Sequence, residues 1–158
     1  MDFKFPDHYE LGVLNGDDLI FFYYDIGLDN LQGWPAAYDW DKVLEEFKDR
    51  VDITACAKSD IPAQLEDNKI RFTVSSQDSG SEASAFFRHL RNAFSHYRIT
   101  RQGDWFFITD YNEKSKPMYK SMYGKISSSL LKEFCSRFFD AREKILNDAE
   151  NANNLLNK

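Results

Sequence analysis

Residues 86–96 read Phe86-Phe87-Arg88-His89-Leu90-Arg91-Asn92-Ala93-Phe94-Ser95-His96. With Tyr97 added, Phe86, Phe87, Leu90, Ala93, Phe94 and Tyr97 fall at i, i+1, i+4, i+7, i+8 and i+11. That is an uninterrupted apolar stripe of helical period, and it predicts a helix opened by Ser81 or Glu82. At about 100° per residue the opposite face carries Arg88, Arg91, Asn92, Ser95 and His96. Asn92 and His96 are i, i+4 neighbours, so the amide can orient the imidazole. Arg91 and His96 lie about 140° apart around the axis and diverge within one chain. Two copies packed helix against helix across a two-fold axis would bring both pairs into one cleft.

Working outward, Tyr38 to Ala57 reads as a helix, with Trp40, Val43, Leu44, Phe47, Val51 and Ala55 recurring at spacings of three and four. Asp17 and Asp18 before Leu19–Tyr24 read as carboxylates in the first turn of a helix, and Gly27, Gly33 and Pro35 break it. Ile70–Val74 is a short extended piece. After the central helix the period becomes two: Ile99–Arg101, a turn through Gln102-Gly103-Asp104, then Trp105–Asp110, a β-hairpin. Met118–Ile126 adds a third strand. Ser127 or Ser128 then caps a final helix whose Leu130, Leu131, Phe134, Cys135, Phe138, Phe139, Ile145 and Leu146 face a core. The expected fold is mainly α, a helical bundle with an inserted β-hairpin or three-stranded meander before the last helix. Residues 1–150 form a single domain and 151–158 a frayed tail.

The chain carries a net charge of −6, which argues against a general nucleic-acid coat. Its distribution is uneven. Ala83 to Gly103 holds Arg88, Arg91, Arg98 and Arg101 with His89 and His96, and no Asp or Glu. A local cationic site on an acidic protein selects a polyanion weakly. No apolar run approaches the ~20 residues that span a membrane, and the N-terminus lacks a signal-peptide pattern. Cys56 and Cys135 fit no metal or redox spacing and read as reduced thiols of a cytoplasmic protein. Asp17, Asp18, Asp39 and Asp41 match no metal loop, so neither a metal nor another cofactor is expected.

Arg91-Asn92-Ala93-Phe94-Ser95-His96 resembles the R-x4-6-H signature of the HEPN superfamily, with a polar residue after the arginine. The longer Phe-Arg-His-Leu-Arg-Asn-Ala-Phe-Ser-His stretch is similar to small bacterial and plasmid-encoded HEPN proteins. In these the motif helix precedes a β-hairpin, a tract like Met122-Tyr123-Gly124-Lys125-Ile126, and a closing helix. The resemblance covers roughly residues 82–146, the motif-bearing core.

The resemblance implies an HEPN-like domain that dimerises through the motif helix and, in many members, cleaves RNA without metal. Arg91 and His96 would be the catalytic pair and Asn92 the accessory polar residue. Arg88 and His89 lie outside the signature; with Ser95 and Arg98 they are read from the residues alone as substrate contacts. A neutral-range histidine can move a proton, an arginine matches phosphate geometry, and the RNA 2′-hydroxyl is an internal nucleophile. Two functions stand side by side: a ribonuclease of toxin or defence type with a cognate antitoxin, and a non-catalytic dimer binding RNA, nucleotide or protein. An open cleft with Arg91 and His96 favours the first, and burial of both the second. Trp105, Phe106, Phe107 and Tyr111 offer a base-stacking platform, although an aromatic strand beside helices is more often core.

Overall fold

Helical spacing carries the chain only as far as Phe47, and there the fold departs from the expected bundle. The computed structural model describes residues 14–26, 37–78 and 81–157, the side chains of 37–39 and 141–147 excepted. Helix α1 (Gly16–Ile20) is closed at its start by a capping box in which Asn15 and Asp18 exchange hydrogen bonds. It runs on as a π-helical turn, Phe21–Ile26, that buries Phe21, Phe22 and Ile26. Helix α2 (Ala37–Phe47) stops where the Arg50 and Val51 N–H groups both bond the Phe47 carbonyl. The following residues form strand β1 (Asp52–Ala55), with Ile53 buried between exposed Asp52 and Thr54. Val51 and Ala55 satisfy a three-four spacing by coincidence, while Val51, Ile53 and Ala55 also alternate, and β-branching decides for the strand.

Strand β2 (Lys69–Phe72) pairs parallel with β1, helix α3 (Glu82–Ser95) follows, and strands β3 (Ile99–Gln102), β4 (Trp105–Asn112) and β5 (Tyr119–Ser127) form a meander. Because β2 also pairs antiparallel with β5, the meander is the larger part of one mixed five-stranded sheet, ordered β1-β2-β5-β4-β3. The expectation of a mainly α bundle with an inserted hairpin is therefore corrected: this is a helix-and-sheet fold in which the sheet is a full layer. Helix α4 (Ser128–Leu156) closes the chain and continues through most of the stretch expected to fray. The expected core roles of Ile145 and Leu146, and the breaks at Gly27, Gly33 and Pro35, lie outside the described residues.

One sheet face packs against the helices. Ile53, Ile70, Phe72, Phe106, Ile108, Met122 and Ile126 share that face by register and are buried. Gly124 sits between Ile70 and Ile108 on it, and a Cβ there would lie 2.5 Å from Ile70 Cγ1. The glycine is what lets the strands close up. Trp40 is the hub opposite, with ring contacts to Phe86 (5.2 Å), Phe134 (5.5 Å) and Phe72 (6.2 Å). Its indole N–H donates to Glu82 at 3.1 Å, so the largest core side chain buries no orphan donor. Asp18, fully buried, receives Arg101 at 3.1 Å and Lys132 at 2.7 Å, joining α1, β3 and α4. No described helix is long and apolar enough to cross a membrane.

Candidate functional site

The apolar stripe read from the sequence fixes how α3 lies. Ala83, Ala85, Phe86, Phe87, Leu90 and Ala93 are buried against the sheet and α2, which turns the other edge of the helix outward. Ser81 opens the helix by accepting a hydrogen bond from the Ser84 N–H. At the far end the Tyr97 N–H bonds the Phe94 carbonyl and the Arg98 N–H bonds the Ala93 carbonyl, with Tyr97 at φ +59°. This paired pattern is a Schellman stop built without glycine. It leaves His96 exposed at the C-cap, one residue past α3, and sends the chain back into β3.

Between the outward edge of α3 and the ends of β2, β4 and β5 lies a cavity of about 320 Å³. Arg88, Asn92 and His96, one helical turn apart in succession, form its α3 wall. Asp110, Asn112, Tyr119 and Ser121 come from β4 and β5, and Thr73, Ser75 and Gln77 from the chain after β2. The β4–β5 register shifts between Asp110 and Tyr111, which leaves Ser121 as the extra residue of a bulge, buried beside Asp110.

The cavity floor is a set of paired charges. His89, 1% exposed, places Nε2 2.7 Å from the Thr73 carbonyl oxygen and Nδ1 2.7 Å from Asp110 Oδ2. A carbonyl only accepts, so Nε2 carries a proton, and Nδ1 and Asp110 share a second one. Arg88 grips Asp78 with both Nε (2.7 Å) and Nη2 (3.0 Å). Burial works to raise the Asp78 carboxyl, but hydrogen bonds from Arg88 and from the Ser75 N–H outweigh it and hold it below the ordinary aspartate range. Arg98 pairs with Glu113 and lies over the Tyr111 ring at 4.6 Å.

The acid-free segment thus meets its carboxylates in space. Arg88, Arg98 and Arg101 are each paired with an acid from outside it: Asp78, Glu113 and Asp18. The side chains of Arg91, Asn92 and His96 make no hydrogen bond or ion pair among the described residues. Asn92 and His96 line the cavity together with Arg88 and His89; Arg91, Ser95 and Arg98 do not. Ser95 is exposed. Of the aromatic strand, Phe106 is core, Trp105 and Phe107 are half-buried on the sheet's other face, and Tyr111 reaches the cavity. Cys135 is buried and Cys56 half-buried, and in both burial pushes the thiol up.

Asp78, Asp110, Asn112, Tyr119 and Ser121 were not foreseen from the sequence. Asp110 had a signal: it continues the alternation Phe106, Ile108, Asp110, and a carboxylate on the buried register of a strand requires a partner. Residues 29–149, roughly three quarters of the chain, match the family model described as HEPN pEK499 p136, so the likeness reaches well into the N-terminal half. No curated protein and no solved structure matches the chain.

Proposed function

The chain belongs to the HEPN pEK499 p136 family, and from that premise we propose that it is a metal-independent endoribonuclease whose site is completed in a symmetric dimer. The observation that carries this reading is the outward edge of α3. Asn92 and His96 line the cavity there and Arg91 lies outside it, all three without a protein partner among the described residues, on a chain whose Arg88 and His89 are paired with carboxylates. Polar side chains left unpaired beside a cavity are what a substrate needs.

Arg91 and His96 point apart around the helix, so the pair works when a second α3 faces the first. In the reaction the 2′-hydroxyl attacks the neighbouring phosphorus, the bond to the 5′-oxygen breaks, and a 2′,3′-cyclic phosphate forms. His96 of one protomer takes the hydroxyl proton, and the imidazolium so formed gives it to the leaving 5′-oxygen. Arg91 of the facing protomer holds the charge that builds on the phosphoryl oxygens, and Asn92, beside His96 on the cavity wall, is the accessory polar group free to bond the substrate.

The test is cleavage of a mixed RNA pool in EDTA by the wild type and by His96→Ala. Wild-type cleavage to cyclic-phosphate ends, with DNA inert and the variant folded but silent, is the expected result. A folded, dimeric wild type that leaves every RNA intact sinks it. The neutralisation of Arg88, Arg98 and Arg101 favours a second reading, a non-catalytic HEPN dimer that binds RNA or protein. That reading predicts the inert outcome.

A further inference from the structure

The α3–sheet cavity has a gradient from floor to rim that the cleavage reaction above does not use. Its floor is buried: His89 at 1%, Asp110 at 2% and Ser121 at 3% exposure. Every ionisable group on that floor has a partner, Asp110 in His89 and Arg88 in Asp78. What remains to meet a ligand inside is neutral hydrogen-bonding chemistry. Asn112 donates its amide N–H to Tyr119 Oη at 3.0 Å, and its Oδ1 accepts from the Lys114 and Ser115 N–H groups. The Tyr119 hydroxyl is thereby oriented with its own proton to give, and the Asn92 amide is unpaired among the described residues. At the rim stand His96, Lys114 and Glu113, all exposed, with the Glu113 carboxylate held by Arg98.

We propose that this cavity seats one nucleobase of a single RNA strand, with the adjoining phosphate held at the rim by His96 and Lys114. A neutral interior with donors and acceptors suits a base, and repels neither it nor its sugar. An anion-binding hole would instead present unpaired cations at the bottom. At about 320 Å³ the space lies at the small end of ligand pockets, room for one nucleoside and no more. The Asn92 amide and the Tyr119 hydroxyl, which Asn112 holds in place, then read the base edge, because a base that leaves them unpaired is rejected. The proposal rests on the RNA reading for its ligand but not on catalysis.

The experiment is titration of the full-length protein with the four nucleoside 3′-monophosphates, followed by calorimetry and amide NMR, with inorganic phosphate as control. One base is expected to bind at least about tenfold more tightly than the least favoured, the cost of one or two unmade hydrogen bonds. Asn92→Ala and Tyr119→Phe should each shrink that preference. His96→Ala should weaken all four monophosphates and leave the preference standing. Equal binding of all four, phosphate binding as well as the nucleotides, or no binding by the folded protein overturns the proposal. A base preference in a protein that cuts no RNA keeps the pocket and discards the ribonuclease. Cleavage with no base preference does the reverse.

Discussion

His89 Nδ1 and Asp110 Oδ2 meet 2.7 Å apart beneath the motif helix, on side chains 2% and 3% exposed. The contact bolts the middle of α3 to β4, and it matters because the imidazole's other nitrogen is already committed to the Thr73 carbonyl. Removing the Asp110 carboxylate strands a buried N–H, so Asp110→Ala should cost about 3–5 kcal/mol. Asp110→Asn keeps an acceptor for Nδ1 and should cost less, about 1–3 kcal/mol. Urea denaturation of both variants measures the difference. Equal losses would mean that the charge, and not the hydrogen bond, is what the site needs.

Asp78 sets how the fold responds to acid. Its carboxyl titrates below the ordinary aspartate range when folded, so the native state binds fewer protons than the unfolded chain. The stabilisation is complete above about pH 3.9, where the unfolded carboxyl ionises, and is lost as pH falls through the lowered native value. Wild type should therefore lose stability more steeply than Asp78→Asn below about pH 4, by up to about 1.4 kcal/mol per pH unit. Urea midpoints collected for both from pH 2 to 7 decide it, and parallel curves refute it.

Gly124 is where β5 passes closest to β2. An added Cβ would lie 2.5 Å from Ile70 Cγ1 and 2.9 Å from both Ile70 Cα and Cβ. Gly124→Ala should destabilise by about 1–3 kcal/mol. The double variant with Ile70→Ala removes the Cγ1 overlap but not the two at 2.9 Å, so it should recover only part of the clash. A double-mutant cycle in urea reads the recovery. Additive losses would show that the Ile70 Cγ1 overlap contributes nothing to the cost.

The central helix was legible because Phe86, Phe87, Leu90, Ala93 and Phe94 keep one period and pack into the core, while Tyr97, expected on the same stripe, lies past the helix end and is exposed. The meander was legible because Gln102-Gly103-Asp104 separates two alternating runs, and Gly103 takes φ +58° at the turn. Strand β1 was not, since Val51 and Ala55 satisfy both periods; the β-branching of Val51, Ile53 and Thr54 tips the balance, and the register with Ile70 and Phe72 fixes the strand. The site divides the same way. Asn92 and His96 share a cavity wall because i, i+4 spacing is local geometry. The pairings that neutralise Arg88 and Arg98 join α3 and the residue before β3 to loops at sequence separations of 10 and 15, and no local pattern carries them.

The geometry of α3 also tests itself through mixed dimers. Arg91→Ala and His96→Ala should each abolish RNA cleavage while leaving the melting temperature within a degree or two, because neither side chain has a partner to lose among the described residues. If each cut draws Arg91 from one protomer and His96 from the other, a dimer built from one copy of each variant contains one complete pair. Co-refolding the two variants in equal amounts then makes about half the dimers mixed and restores about a quarter of wild-type activity. A site contained within one chain gives no recovery, because every chain in the mixture lacks one member. Recovery near a quarter, measured against each variant refolded alone, is the result expected from the roughly 140° divergence of Arg91 and His96 about the helix axis.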